Sequence, residues 1–358
     1  MELTHTAPLS STAWRAKPRS AKRSVAVWLF VCCALVFAMV VVGGVTRLTH
    51  SGLSITEWQP IMGTLPPLTD AQWQEAFAKY QLTPEYRQVN HDMSLHAFKG
   101  IYWWEYCHRL LGRAIGVVFL VPLLWFMARR RIPRAMLPKL FGIFVLGGLQ
   151  GAMGWYMVES GLVDDPRVSQ FRLTAHFGLA LLIFAAMFWA GLSLLRPKRD
   201  RALDATLGQL RRWSAILATL VFLMALTGGL VAGIRAGFAY NTFPLMNGYV
   251  VPPEIMMIDP WYRNFFYNMA TVQFDHRLVA WALALLIPIF CWRVRAAGAA
   301  VPVRIRTGAG LLLAMLILQI ALGVCALLLV VPLPLAAAHQ AGAVLLFAAS
   351  LNEAHALR

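Results

Sequence analysis

The sequence predicts an all-α integral membrane protein with eight transmembrane helices, organised as two parallel-repeat four-helix bundles. Three observations lead there. Hydrophobic residues make up 59% of the 358 residues and charged ones only 13%, with a mean hydropathy of +0.61, so a water-soluble domain would lack the polar surface to cover itself. Eight apolar runs approach the roughly 20 residues that cross a bilayer. The first four then match the second four in order and in residue type.

The runs lie near 25–45, 106–128, 138–158, 172–195, 213–233, 272–292, 308–331 and 335–352. The first follows a basic leader but is too long for a signal-peptide core and lacks a clear small-residue cleavage site, so it reads as a retained helix. Residues 1–24 then form a basic cytoplasmic segment, 25–195 one four-helix half, 196–212 a linker, 213–352 the second half and 353–358 a short tail. Between the second and third runs stand Arg129, Arg130, Arg131, Arg134 and Lys139. Every second loop is basic in this way, from Arg15, Lys17, Arg19, Lys22 and Arg23 through Arg196, Lys198, Arg199, Arg201, Arg211 and Arg212 to Arg293, Arg295, Arg304 and Arg306. The intervening loops hold most acids, among them Glu57, Glu85, Asp164, Asp165 and Glu254. This alternation puts both termini in the cytoplasm, and the net charge of +16 reports topology and not a nucleic-acid partner. The five cysteines sit in or beside apolar runs, where neither a disulfide framework nor a zinc motif is expected.

Of the two long polar loops, 46–100 contains a capping box at Thr69 and Gln72 followed by Trp73, Phe77 and Tyr80 at helical spacing. That pattern predicts a short amphipathic helix lying on the outer membrane surface.

Comparison of the halves carries most of the functional information. Gly43-Gly44 and Gly52 recur as Gly228-Gly229 and Gly237; Pro60-Ile-Met62 and Pro66-Pro67 recur as Pro244-Leu-Met246 and Pro252-Pro253. His108-Arg109-Leu110 matches His276-Arg277-Leu278, the Leu149-Gln150 segment matches Leu318-Gln319, and Ala175-His176 matches Ala338-His339. Because each half has an even number of spans, both enter the membrane from the same side, about an axis along its normal.

Four histidines, His108, His176, His276 and His339, therefore share one depth on the second, fourth, sixth and eighth helices. A single membrane histidine is explained equally well by a helix–helix hydrogen bond. Two per four-helix half at equivalent places is what axial ligation of a heme requires. Zinc fits less well, since thiolates or a third histidine are missing from each half; proton relay in a transporter stays open. The glycines suit either tight packing or room for a flat cofactor. Arg109 and Arg277 are positioned to meet heme propionates or to snorkel toward headgroups. Glu105, three residues before His108, has a neutral counterpart in Gln273, and a salt bridge to Arg109 or Arg113 is the simpler account of it.

The 43–63 stretch, Glu105 to Arg113, Leu149 to Trp155, Ala175-His176, Phe274 to Leu278 and Ala338 to Gln340 together resemble the heme A synthase family, in the branch without loop cysteine pairs. The likeness covers about residues 25–352. It implies oxidation of the ring-D methyl of heme O to a formyl group, by successive hydroxylations, in the cell inner membrane. It further implies that His276 and His339 ligate a resident heme b, that His108 and His176 face the substrate heme, and that Glu105 is the catalytic acid. Implied partners are heme O, membrane lipid, a heme O synthase and an electron acceptor, with room for a homo-oligomer. The competing reading is a di-heme membrane cytochrome acting as an electron conduit, which has no use for an acid unique to one half. One test belongs to the charge pattern: cysteine labelling is expected to find loops 129–139 and 293–306 cytoplasmic and loop 46–100 external, and the reverse result overturns the orientation.

Overall fold

The computed structural model describes residues 19–57, 62–162, 166–196 and 205–358. Arg15 and Lys17, Pro60, Asp164 and Asp165, and Lys198, Arg199 and Arg201 lie outside the described residues. Those residues fold into helices α1 (Arg19–Leu48), α2 (Asp70–Gln81), α3 (Pro84–Gln88), α4 (Leu95–Ala128), α5 (Leu137–Leu162), α6 (Gln170–Leu195), α7 (Ala205–Gly233), α8 (Asn264–Tyr267), α9 (Met269–Ala296), α10 (Val303–Leu328) and α11 (Leu333–Ala356). Eight of these, α1, α4 to α7 and α9 to α11, are long and apolar enough to cross a membrane. Their lengths follow from the chemistry of lipid, in which a backbone must satisfy its own hydrogen bonds.

Several helices extend beyond the sequence reading; α7 begins at Ala205, inside the stretch read as the 196–212 linker. Helix α4 begins at Leu95, capped by Ser94 Oγ accepting from the Ala97 N–H, well before the apolar run that marks its membrane portion. Helix α11 runs on through Ala356 with Glu353 and His355 buried, so most of the short tail is helix.

Helix α2 has the expected capping box, but its apolar face meets protein. Trp73, Phe77 and Tyr80 pack on Phe98, Tyr102 and Tyr106 from the early turns of α4, forming a second core apart from the main one. Trp73 and Tyr102 meet edge to face with centroids 4.9 Å apart, and the Tyr106 hydroxyl donates to the Thr64 carbonyl at 2.7 Å. This aromatic cap rests on α4, and α3 beside it packs on α5.

The long helices neighbour one another in a definite pattern. Helix α1 packs on α4 and α6, and α5 also packs on α4 and α6, closing a ring in which α4 and α6 are diagonal. In the same way α7 packs on α9 and α11, and α10 on α9 and α11. The rings meet through α6 with α7, α6 with α11, and α1 with α11. The main core, with Trp28, Phe119, Phe184, Ile287, Phe290, Leu312 and Phe347, fills the end of the bundle remote from the long loops.

Small residues set the closeness of the seam, as expected where lipid leaves no hydrophobic drive between helices. A Cβ at Gly233 of α7 would lie 2.8 Å from the Gln170 Cα of α6, and one at Gly229 would lie 3.0 Å from Thr174 Oγ1. Gly44 of α1 similarly faces the Gln340 side chain of α11, whose Nε2 donates to the Val40 carbonyl at 2.9 Å. By contrast, a Cβ at Gly147, Gly148 or Gly151 of α5 would meet nothing within 4 Å. Gly233→Ala is therefore expected to cost about 1–3 kcal/mol by forcing two backbones apart, and Gly147→Ala to cost nothing; thermal unfolding in detergent compares them.

Candidate functional site

The four histidines of the sequence pattern come together in two pairs. His108 (α4) and His176 (α6) are within electrostatic reach of each other, as are His276 (α9) and His339 (α11). Each pair stands on the diagonal of its ring, and glycines occupy the other diagonal. A Cβ at Gly43 of α1 would lie 3.0 Å from His108 Nε2, and one at Gly154 of α5 would lie 3.0 Å from His176 Cε1. In the second ring Gly228 of α7 and Gly323 of α10 approach the Cε1 atoms of His276 and His339, at 3.4 and 2.7 Å. Four equivalent glycines thus make space for four imidazoles, where packing alone would explain any one of them.

Glutamines fix the turns that carry two of these histidines. Gln150 Nε2 donates to the His176 carbonyl at 3.1 Å, and Gln319 Nε2 to the His339 carbonyl at 3.0 Å. The Nδ1 atoms of His176 and His339 are buried without a partner. Such orphaned nitrogens in glycine-lined spaces fit a ligand with an open axial position. Among the described residues no three His, Cys, Asp or Glu side chains group to hold a bare ion. Two imidazoles per ring suit a macrocycle that brings its own four equatorial donors.

The rings differ in the support around their histidines. Thr227 Oγ1 donates to the Met224 carbonyl at 2.8 Å and stands 2.8 Å from His276 Nδ1. With its hydrogen committed, the hydroxyl accepts from Nδ1–H, which leaves Nε2 with its lone pair for a metal. The equivalent residue in the first ring is Val42, which has no such group. Sequence reading missed this pair because it lies inside an apolar run, although comparing the halves one residue before the double glycine would have exposed it.

Glu105 is engaged on all sides. Its Oε1 accepts from Arg109 Nε and Nη2 at 3.0 and 2.6 Å, and Oε2 accepts from Ser54 Oγ and the Ile55 N–H, both at 2.8 Å. Arg109 also donates to the carbonyls of Ile55 and Glu57 at 2.8 and 3.1 Å. The salt bridge allowed for in the sequence is thus present, and it clasps the 51–57 loop to the turn before His108. In the other ring Gln273 and Arg277 both donate to the Tyr240 carbonyl, at 3.2 and 3.0 Å, while Arg277 Nε stays buried and unpartnered. Ile55 and Tyr240 are equivalent by the spacing of the glycine motifs, so the same clasp is built twice, ionic once and neutral once.

A second acid lies nearby that the sequence did not single out. Glu85, buried on α3 and accepting from the Tyr80 hydroxyl at 3.4 Å, has its carboxyl pushed up to about 7 by burial and by the nearness of Glu105. Nothing in a lone loop glutamate announces this; the aromatic cap creates it.

Comparison with known proteins agrees with this construction. A family model described as cytochrome oxidase assembly protein matches residues 26–351. The chain is 61% identical to the heme A synthase of Nitrosospira multiformis, over 94% of each chain. It is 56% identical to that of Nitrosomonas eutropha, over 91% of this chain and 92% of the other, and 49% identical to that of Parvibaculum lavamentivorans, over 93% and 94%. With matches that span nearly every element carrying the paired histidines, the chain belongs to the heme A synthase family of cytochrome oxidase assembly proteins.

Proposed function

We propose that this protein is a membrane-embedded oxidoreductase that converts heme O to heme A. The reading is carried by the two histidine pairs, each facing a glycine-lined space in its own ring. The net change at the ring-D methyl is CH3 plus water to CHO with loss of four electrons and four protons, by way of hydroxylated forms, with the electrons leaving to an acceptor. The two rings are read as a repeat, supported by their matching helix neighbours and by matching glycine, glutamine and arginine contacts.

Within this reading the second ring holds a resident heme b through His276 and His339. Thr227 supports that assignment, since a ligand fixed in tautomer and orientation suits permanent occupancy. Heme b would supply a one-electron redox centre there. The first ring takes heme O between His108 and His176, where the absence of a hydroxyl at Val42 leaves His108 less restrained and exchange of substrate for product easier. Arg109 and Arg277 remain propionate candidates on this proposal, Arg277 through its unpartnered Nε. Glu105 works through position: its clasp with Arg109 holds the 51–57 loop over the substrate space, one turn from His108. An orientation with both termini cytoplasmic in the cell inner membrane places the loops and the aromatic cap outside.

Replacing His276 or His339 by Ala is expected to abolish low-spin heme in the purified protein, and a full low-spin spectrum in the double variant would sink the ligand assignment. Thr227→Val, which copies the first ring, is expected to weaken heme retention about 10–100-fold, the usual cost of losing a partner behind a metal ligand. Glu105→Gln copies the second ring and removes the ionic clasp. Pigment extracted from that variant is expected to show normal heme b but no heme A, or a stalled hydroxylated form, and wild-type heme A yield would remove Glu105 from the scheme.

A further inference from the structure

At the seam between the rings, α1 and α7 end side by side and expose three basic groups to one another. Arg47 Nη2 crosses to donate to the Ala232 and Gly233 carbonyls at the end of α7, at 2.7 and 3.2 Å. Arg235 Nη2 stands 3.1 Å from His50 Nδ1. His50 and Arg235 occupy equivalent places after the double glycines, and both adopt the left-handed backbone, with φ of 54° and 57°. Neither has Gly or Asn to ease that conformation, so the surrounding structure holds two basic side chains face to face.

The charges are not compensated by the chain. Among the described residues none of the three pairs with an acid; the ion pairs fall elsewhere. Burial, and then the nearness of Arg235 and Arg47, holds the His50 imidazole below its ordinary value, so the positive charge of the junction sits on the two arginines. The Arg47 contact has a plain explanation, since cations suit a helix C-terminus. Arg235 Nη2 donates to His50 Nδ1, which accepts as a neutral imidazole, and the remaining N–H groups of Arg235 have no acidic partner among the described residues.

Position supplies the missing anion. Arg47 lies four residues beyond Gly43, about 6 Å along the same face of α1, and Gly43 is the residue that faces His108. Gly228, which faces His276, precedes Arg235 by seven residues, and Arg235 stands just beyond the end of α7. We propose that Arg47, His50 and Arg235 form one anion-binding junction that takes carboxylates from the edges of the tetrapyrroles held in the two rings. The proposal rests on the heme reading above and adds a shared contact point between the two ring systems. A phospholipid headgroup offers related anionic chemistry, and the experiment separates the two.

The variants are Arg235→Gln, His50→Gln and their combination, which spare the helix cap made by Arg47. Protein produced in heme-starved cells is titrated with iron protoporphyrin IX and with its dimethyl ester, which has the same ring without carboxylates. Wild type is expected to prefer the free acid by about tenfold or more, in keeping with charge-assisted hydrogen bonds, and the double variant to lose most of that preference. The bound heme's midpoint potential is expected to fall in the double variant, because removing positive charge favours the oxidised iron. Equal affinity of wild type for acid and ester, or a preference that survives in the double variant, overturns the proposal. Loss of co-purifying phosphatidylglycerol with the preference intact assigns the junction to lipid and overturns it likewise. Failure of wild type to bind either porphyrin overturns the heme reading itself, a result distinct from a failure of discrimination.

Discussion

An imidazole on a membrane helix needs both volume and a hydrogen-bonding role, and in this fold the volume comes from glycine on the opposite diagonal. Gly43, Gly154 and Gly323 stand where a methyl group would press on a histidine ring, and Gly228 where one would touch it. The helices are consequently close enough for the imidazoles to lie against bare backbone. Gln150 and Gln319 then hold the backbone of the histidine-bearing turns, so side-chain direction is fixed from behind as well as in front. Everything else in the membrane portion serves to keep those diagonals in register.

Symmetry of position and asymmetry of chemistry are separable here. The clasp on the loop after the first helix of each ring uses an arginine at the same place, donating to the same backbone carbonyl. What changes is the residue one turn before the arginine, a carboxylate that accepts from it in one ring and an amide that donates to the same carbonyl beside it in the other, and the residue behind the first histidine, valine in one and threonine in the other. An ionic clasp with two further donors on its carboxylate fixes the loop more firmly, and it stands beside the ring whose histidine is less restrained. One ring is thus tied at its histidine and the other at its 51–57 loop.

Most of the membrane architecture was legible because length and apolarity decide it. All eight spans coincide with helices, and the paired histidines are visible from the repeat. The early turns of α4 were not legible, since His96, Lys99 and Glu105 interrupt any apolar run there while Phe98, Tyr102 and Tyr106 face a partner that is itself a loop helix. The face of α2 was read correctly and its partner wrongly, for the same reason: an amphipathic helix looks alike whether it lies on lipid or on protein. Thr227 was hidden because a hydroxyl among apolar residues carries no signal until its histidine is placed. For Glu105, the sequence left Arg109 and Arg113 open as salt-bridge partners, and the geometry chose Arg109 and added Ser54 and the Ile55 amide.

The contact of Gly233 with Gln170 leaves no slack between α6 and α7. Helix α6 carries His176, and α7 carries Thr227 and Gly228, so one seam joins a wall of each ring. A sideways movement of either wall is transmitted to the other as through a stiff coupling. Electron tunnelling falls off exponentially with distance, and a seam that does not breathe keeps the spacing between the two ring centres constant. On the proposed reading, with a heme in each ring, rigidity at one glycine becomes a constraint on the rate at which electrons pass between them.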